Sequence, residues 1–328
     1  MKQTFLKNYT THLIKALSIA ALLSISTSHA ETYPNKPLKW TVGFPAGGGT
    51  DVLARTVAVE MGKRLNNQVI IENKAGAAGM IAAESIVRAP ADGYSLLTAD
   101  VAILAFNPAI YSKIRYDAQQ SFDPVGLMAR FPILIATSPT SGIKSMADLV
   151  TYMRSNSIGY GTAGVGTPHH MAVEMLLAST NLKAEHIPYK GDAPALQDLA
   201  GGQIKLAALA PSLSLPFVKE GKLVALAVTS DKRLPQLPNV PTLKELSMST
   251  DAVYAWQGLV VRKGTAPEHI QKLSESMQAS LKDPGVISKL TELGMESVPS
   301  SPEEMRSYVQ KEQERWWPMI KARGISSQ

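Results

Sequence analysis

Short apolar runs alternate with helix-period stretches along most of this chain, the pattern of an α/β protein with largely parallel sheets. The run Leu38–Phe44 predicts a strand. Leu53, Val57, Met61 and Leu65 recur at helical spacing and predict the helix after it. Further strands are expected at Val69–Glu72, Ser95–Thr98, Pro124–Met128, Ile133–Thr137, Ile158–Gly161, Ala184–Ile187, Ile204–Leu209, Ala225–Val228 and Gly258–Val261. Helices are expected through Ile81–Arg88, from Ser145 to about Met153, from Pro168 and from Ala193, with Ser145 and Asp148 spaced as a capping box. Three more helices should close the chain, Pro267–Leu281, Pro284–Leu293 and Pro302–Ala322. Each carries proline in its first turn, where no N–H is needed. The three prolines between Pro235 and Pro241 exclude a central strand or a helix there.

Two of these strand-to-helix turns share one spelling. Ala46-Gly47-Gly48-Gly49-Thr50 follows the first strand, and Ala163-Gly164-Val165-Gly166-Thr167 follows Ile158–Gly161. Thr50 and Thr167 suit helix N-caps, because a hydroxyl there accepts from orphan backbone N–H groups. Glycine leaves N–H groups uncovered, and the positive end of a helix adds to their pull on an anion. Either turn alone is equally at home in an ordinary α/β protein. The repetition shifts the balance towards two donors of one site, a clasp for a ligand with one or two carboxylates.

Composition narrows the setting. Residues 1–30 carry Lys2, Lys7 and Lys15 with no acid, a short apolar core at Ala16–Ile25, and Ser28-His29-Ala30 as a small-x-small cleavage site. A secretory signal over residues 1–30 is therefore expected, its core too short for the roughly 20 apolar residues of a membrane span. Of the 328 residues, 298 remain (328 minus 30), and the formal charge falls from +6 to +3 with those lysines. The basic residues are scattered, which disfavours nucleic acid. There is no cysteine, so thiol nucleophiles, CxxC redox chemistry and thiolate-bound zinc are excluded. An exported chain without disulfides fits a bacterial periplasm.

The run Phe44 to Asp51, with Leu53-Ala54-Arg55, resembles the opening signature of the Bug (TctC-type) solute receptors of tripartite tricarboxylate transporters. Glu72-Asn73-Lys74-Ala75-Gly76, Ala89 to Tyr94, Asn107-Pro108-Ala109, and Tyr160 to His170 with Glu174 are similar in the same order. So are Pro188 to Gly191, Ala193-Pro194-Ala195, Gly201-Gly202-Gln203 and Leu226 to Ser230, which extends the likeness over nearly the whole mature chain. The resemblance implies a type II periplasmic-binding fold, two lobes with mixed sheets and a ligand cleft between them. Lobe 1 is placed at residues 31–131 plus 257–328 and lobe 2 at 132–256. It further implies that both glycine turns hold a ligand carboxylate, partly through ordered waters. The expected contacts are Phe44, Ala46, Gly47, Gly49, Thr50 and Asp51 from the first turn, and Thr162, Ala163, Gly164, Gly166, Thr167 and His170 from the second. Ala99, Asp100, Leu209 and Ala210 complete the set. Family members commonly carry Asp-Asn near Leu209-Ala210, an acid that suits the ammonium of an amino acid. Here the segment is uncharged, which points to a di- or tricarboxylate or an aromatic acid.

Several residues support two readings each. Asp51 either orients water or complements the helix dipole. Asp100 either accepts from a ligand hydroxyl or caps the next helix. His170 either donates to the ligand or makes a structural hydrogen bond, and adjacent His169 and His170 diverge too far to share a metal. Lys190 either pairs with a carboxylate or stays solvated; Trp256 is either cleft or core. Trp316 and Trp317 are expected to pack the last helix onto the first lobe. The alternative function is a periplasmic carboxylic-ester or amide hydrolase. The chain has no G-x-S-x-G elbow, no H-E-x-x-H and no P-loop lysine, so that reading lacks its catalytic parts. The expectation is a monomeric, cofactor-free and metal-free periplasmic receptor. It would close on a small organic acid and deliver it to membrane permease subunits.

Overall fold

Burial sorts the apolar runs into two sheets. The structure, a computed structural model, describes residues 33–249 and 251–326; the signal expected over residues 1–30 lies outside them. Among the described residues, one sheet holds six strands: β1 (Leu38–Val42), β2 (Val69–Asn73), β3 (Ser95–Asp100), β4 (Phe122–Pro132), β10 (Tyr254–Arg262) and β11 (Glu296–Ser297). Their order is β11-β4-β10-β3-β1-β2. The other holds β5 (Leu134–Thr137), β6 (Gly159–Thr162), β7 (Glu185–Pro188), β8 (Leu206–Leu209) and β9 (Val224–Val228), ordered β7-β6-β8-β5-β9.

Each sheet is mixed, not largely parallel as periodicity suggested. β2, β1 and β3 run parallel, whereas β10 is antiparallel to both β3 and β4. β7, β6 and β8 run parallel, and β5 opposes β8 and β9. The reversal comes from the chain passing between sheets. Only Ile133 separates β4 from β5, and the chain returns through Val253 into β10. Buried Thr229 pins both passages: its Oγ1 accepts from the Ile133 N–H at 2.8 Å and donates to the Val253 carbonyl at 2.6 Å.

The closing helices form at Pro267–Leu281, Pro284–Glu292 and Pro302–Ala322. Proline at each start, Asp283 as a cap and the Ser301–Glu304 capping box explain why these boundaries were legible. Ser145 caps Met146–Ser155 by accepting from the Asp148 N–H. The helix Pro211–Lys219 was not anticipated, since Pro216 inside it breaks the pattern. Trp256 belongs to the core. It is 1% exposed, its indole N–H donates to Glu312 at 2.8 Å, and its ring meets Tyr308 edge-on. Trp316 packs edge-to-face on Phe106, and the Trp317 indole donates to the Ala105 carbonyl.

One capping expectation is corrected. The first glycine-turn helix spans Gly49–Leu65 with Gly48 at its N-cap, so Thr50 lies inside the helix. Its Oγ1 instead accepts from the Gln257 amide at 2.9 Å. Thr167 does cap its helix, Pro168–Thr180, by accepting from the His170 N–H. Two turns spelled alike thus enter their helices two residues out of phase.

Candidate functional site

A cavity of about 290 Å³ joins the two glycine turns. Phe44 to Thr50 line it from the first turn, and Ala163, Thr167, Pro168 and His169 from the second. Its remaining walls are Asp100, Phe131, Ala255, Gln257, Leu213 and the segment Lys190 to Pro194. The segment beyond β7 reaches the first turn directly, since a Cβ on Gly191 would meet the Pro45 ring at 3.4 Å. A larger depression of about 640 Å³, lined by Arg130, Arg233 and Glu296 among others, contains neither turn.

Of the residues expected in the site, Phe44, Ala46, Gly47, Gly49, Thr50, Asp100, Ala163 and Thr167 lie on this wall. Asp51, Ala99, Thr162, Gly164, Gly166, His170, Leu209 and Ala210 are not among its lining residues. Asp51 is 2% exposed and braces the first turn, accepting from the Gly47 N–H, Arg55 Nε and Asn73 Nδ2, each at 2.9 Å. Burial opposes its charge, but Arg55 and these donors hold the carboxyl below the usual range. Ala99, Leu209 and Ala210 are fully buried in or beside their strands, and Leu213 of the next helix faces the cavity in their stead.

The second turn is occupied with itself. Gly164 N–H donates to Thr162 Oγ1 at 3.2 Å, Gly166 N–H to His170 Nδ1 at 3.4 Å, and Thr167 N–H to the Gly164 carbonyl. Gly166 has φ +72°, and a Cβ there would meet Ile110 at 3.2 Å. Behind it, His170 stacks on His186 at 4.0 Å, with Tyr160 beyond. His186 Nε2 shares a 2.6 Å hydrogen bond with Thr162. Burial, reinforced by neighbouring His170, pushes the His186 ring down to about 3, so this stack is uncharged at neutral pH.

The first turn differs. Gly47 N–H goes to Asp51 and Gly48 N–H to the Pro45 carbonyl. Gly48 has no side chain to cap the helix, so the first-turn N–H groups of Gly49, Thr50 and Asp51 are left without a cap. This uncapped helix start on the cavity wall is therefore an anion-seeking end, and the helix Asp192–Ala200, whose N-cap Gly191 also lacks a side-chain cap, starts on the same wall. Opposite it stand acceptors. Asp100, 4% exposed, accepts from the Ile103 N–H at 3.0 Å. Burial pushes its carboxyl up to about 7 against the pull of these backbone donors. Gln257 is the cross-strand partner of Asp100, and its Oε1 has no hydrogen-bond partner among the described residues. A glutamine between Trp256 and Gly258 in an otherwise apolar strand was the available signal for it. Phe131, Ala255 and Leu213 gave no such signal, because apolar wall and apolar core are spelled alike.

Residues 53–325 match the tripartite tricarboxylate transporter family receptor, and the chain belongs to that family of solute-binding receptors. Protein BugT of Bordetella pertussis is 30% identical, over 90% of this chain and 91% of that protein. The solved periplasmic binding protein BugD superposes with a TM-score of 0.85 at 34% identity, covering 90% of this chain and 100% of BugD. R. palustris Rpa4515, solved with adipate, gives 0.86 at 32% identity, covering 89% and 98%. The fold is thus that of periplasmic binding proteins, mixed sheets in two lobes.

Proposed function

We propose that this protein is a periplasmic receptor that captures a small organic acid in the 290 Å³ cavity and hands it to a membrane permease of the tripartite tricarboxylate type. The observation that carries the reading is the uncapped start of Gly49–Leu65 opening onto a cavity whose wall combines small and apolar residues with Asp100, His169, Lys190, Asp192 and Gln257. Backbone donors at a helix start favour a carboxylate without covalent chemistry. The volume lies near the lower end of the about 300–1,000 Å³ typical of ligand cavities, which favours a compact metabolite. Rpa4515 was solved with adipate, which supports the same ligand class here. Closure would turn on Ile133 and Val253, where Thr229 ties the two passages between sheets, with lobes near 31–131 plus 257–328 and 132–256.

The acid is expected to enter with a carboxylate on Gly49 and Thr50, its remainder against Phe44, Phe131 and Leu213. A thermal-shift panel tests this, with mono-, di- and tricarboxylic acids, aromatic acids, amino acids and the matching neutral amides. An acid present at a hundred times its Kd should stabilise the protein by about 2.7 kcal/mol. The melting point then rises by several degrees, and the neutral amide of the same acid should leave it unmoved. A shift by amides or amino acids alone would contradict the reading.

A further inference from the structure

The second turn spends the N–H groups of Gly164, Gly166 and Thr167 on itself, which gives weight to a side-chain donor beside it. His169 is the side chain in position. It sits in the first turn of Pro168–Thr180, is 6% exposed, and lines the cavity. Its Nε2 is 3.2 Å from Asp192 Oδ1, at ion-pair distance but off the hydrogen-bond line. Neither ring nitrogen has a hydrogen-bond partner among the described residues, and neither has Asp192 Oδ1. A buried imidazole and a buried carboxylate oxygen left unsatisfied on a cavity wall are costly unless an occupant completes them.

We infer that His169, beside Asp192, is the side-chain donor that recognises the captured acid, and that capture is coupled to proton uptake by this pair. This rests on the acid-receptor reading given above. An imidazolium has two donors, one for Asp192 and one for the ligand carboxylate, whereas the neutral ring has only one. In the empty protein burial holds the ring below the usual imidazole value, against the pull of Asp192. A carboxylate arriving on the free nitrogen adds a second opposite charge and favours the charged ring. One proton then moves from buffer to His169 as the acid binds.

The other charged groups at this wall are few. Asp100 faces the cavity from β3, and Lys190 from the segment after β7. β8, packed against the His169 helix, carries no ionisable residue; β10 carries Tyr254 and Arg262 near its ends. On the helix itself His170 and Glu174 turn away, Glu174 accepting from Tyr160 and Arg323. His170 and His186 are also held below the usual imidazole range, so they stay neutral above pH 7. Asp100 is the competitor, since its carboxyl also takes up a proton when an anion approaches.

Isothermal titration with adipate, and in parallel malate and terephthalate, separates these sources. Each titration is run at pH 7 in phosphate and in Tris, whose ionisation heats differ. For the acid that binds, about half to one proton should be absorbed per site, and Kd should weaken by up to tenfold per pH unit from pH 7 to 8.5. His169→Gln should abolish that uptake, flatten the pH slope and weaken binding at least about tenfold at pH 7. Asp192→Asn should reduce uptake while leaving the melting point of the empty protein nearly unchanged. Heats independent of buffer in the unmodified protein overturn the inference while leaving the acid receptor intact. Uptake retained in His169→Gln and lost in Asp100→Asn overturns it too, by assigning the proton to Asp100. Failure of all three acids to bind contradicts the receptor reading itself, and the inference with it.

Discussion

Gly48→Asp is expected to destroy acid binding while leaving the empty protein as stable as before. Gly48 has φ −73° and ψ 166°, an extended conformation any residue adopts at an N-cap. A Cβ there would meet only the Pro45 carbonyl, at 3.3 Å, a contact relieved by a few tenths of an ångström. Aspartate is a favoured N-cap and exceeds glycine by a few tenths of a kcal/mol, so the folded state should change by no more than about 0.5 kcal/mol. The same carboxylate would occupy the first-turn N–H groups that are uncapped in the native chain. It would also repel an arriving acid by about 4 kcal/mol, for charges 4 Å apart near a protein surface. Affinity should fall more than about 100-fold, as measured by calorimetry beside a thermal melt. Gly48→Asn, a neutral cap, should lose less. Retention of Kd within a few-fold in the aspartate variant would remove the first helix start from the site.

Trp256→Ala should show the reverse, a large loss of stability with affinity retained once the protein is folded. Trp256 and Gln257 are neighbours on β10, so the pleat sends them to opposite faces. Gln257 reaches Thr50 and the cavity; Trp256 lies under the last helix, donating to Glu312 and packing edge-on against Tyr308. Removing a buried tryptophan costs about 3–5 kcal/mol. Glu312 would keep the Trp316 indole, which donates to it at 3.1 Å. Denaturant unfolding should register the loss, and calorimetry on the folded variant should return a near-native Kd. A variant of native stability with impaired binding would place Trp256 in the cleft after all.

These two neighbours show how far the sequence could be read. Alternation predicts that adjacent strand residues face apart, but it does not say which face is cleft. The glycine turns were legible because two rare spellings recurred after apolar runs. Their inequality was not. Whether the threonine caps its helix depends on where the helix begins, and that differs between Gly49 and Pro168. Thr167 takes the capping role, whereas Thr50, two residues past its helix's N-cap, is claimed by Gln257 from a strand about two hundred residues later. Asp51 followed the same logic, since Arg55 is near in sequence but Asn73 arrives only through the pairing of β1 with β2. His169 and Asp192 are separated by a whole helix and strand, and no spacing rule brings them together. The uncharged segment Leu206 to Ala210 is spelled as a cleft feature would be, yet all five residues are fully buried.

The claim beneath all of this is that an acid sits on the open start of the helix Gly49–Leu65. A crystal structure of the protein with the tightest-binding acid of the panel tests it most directly. The account predicts a carboxylate oxygen within about 2.7–3.2 Å of the Gly49 or Thr50 N–H, with His169 on the opposite wall. An acid seated in the depression lined by Arg130 and Arg233, or held only by residues 163–167, would contradict it.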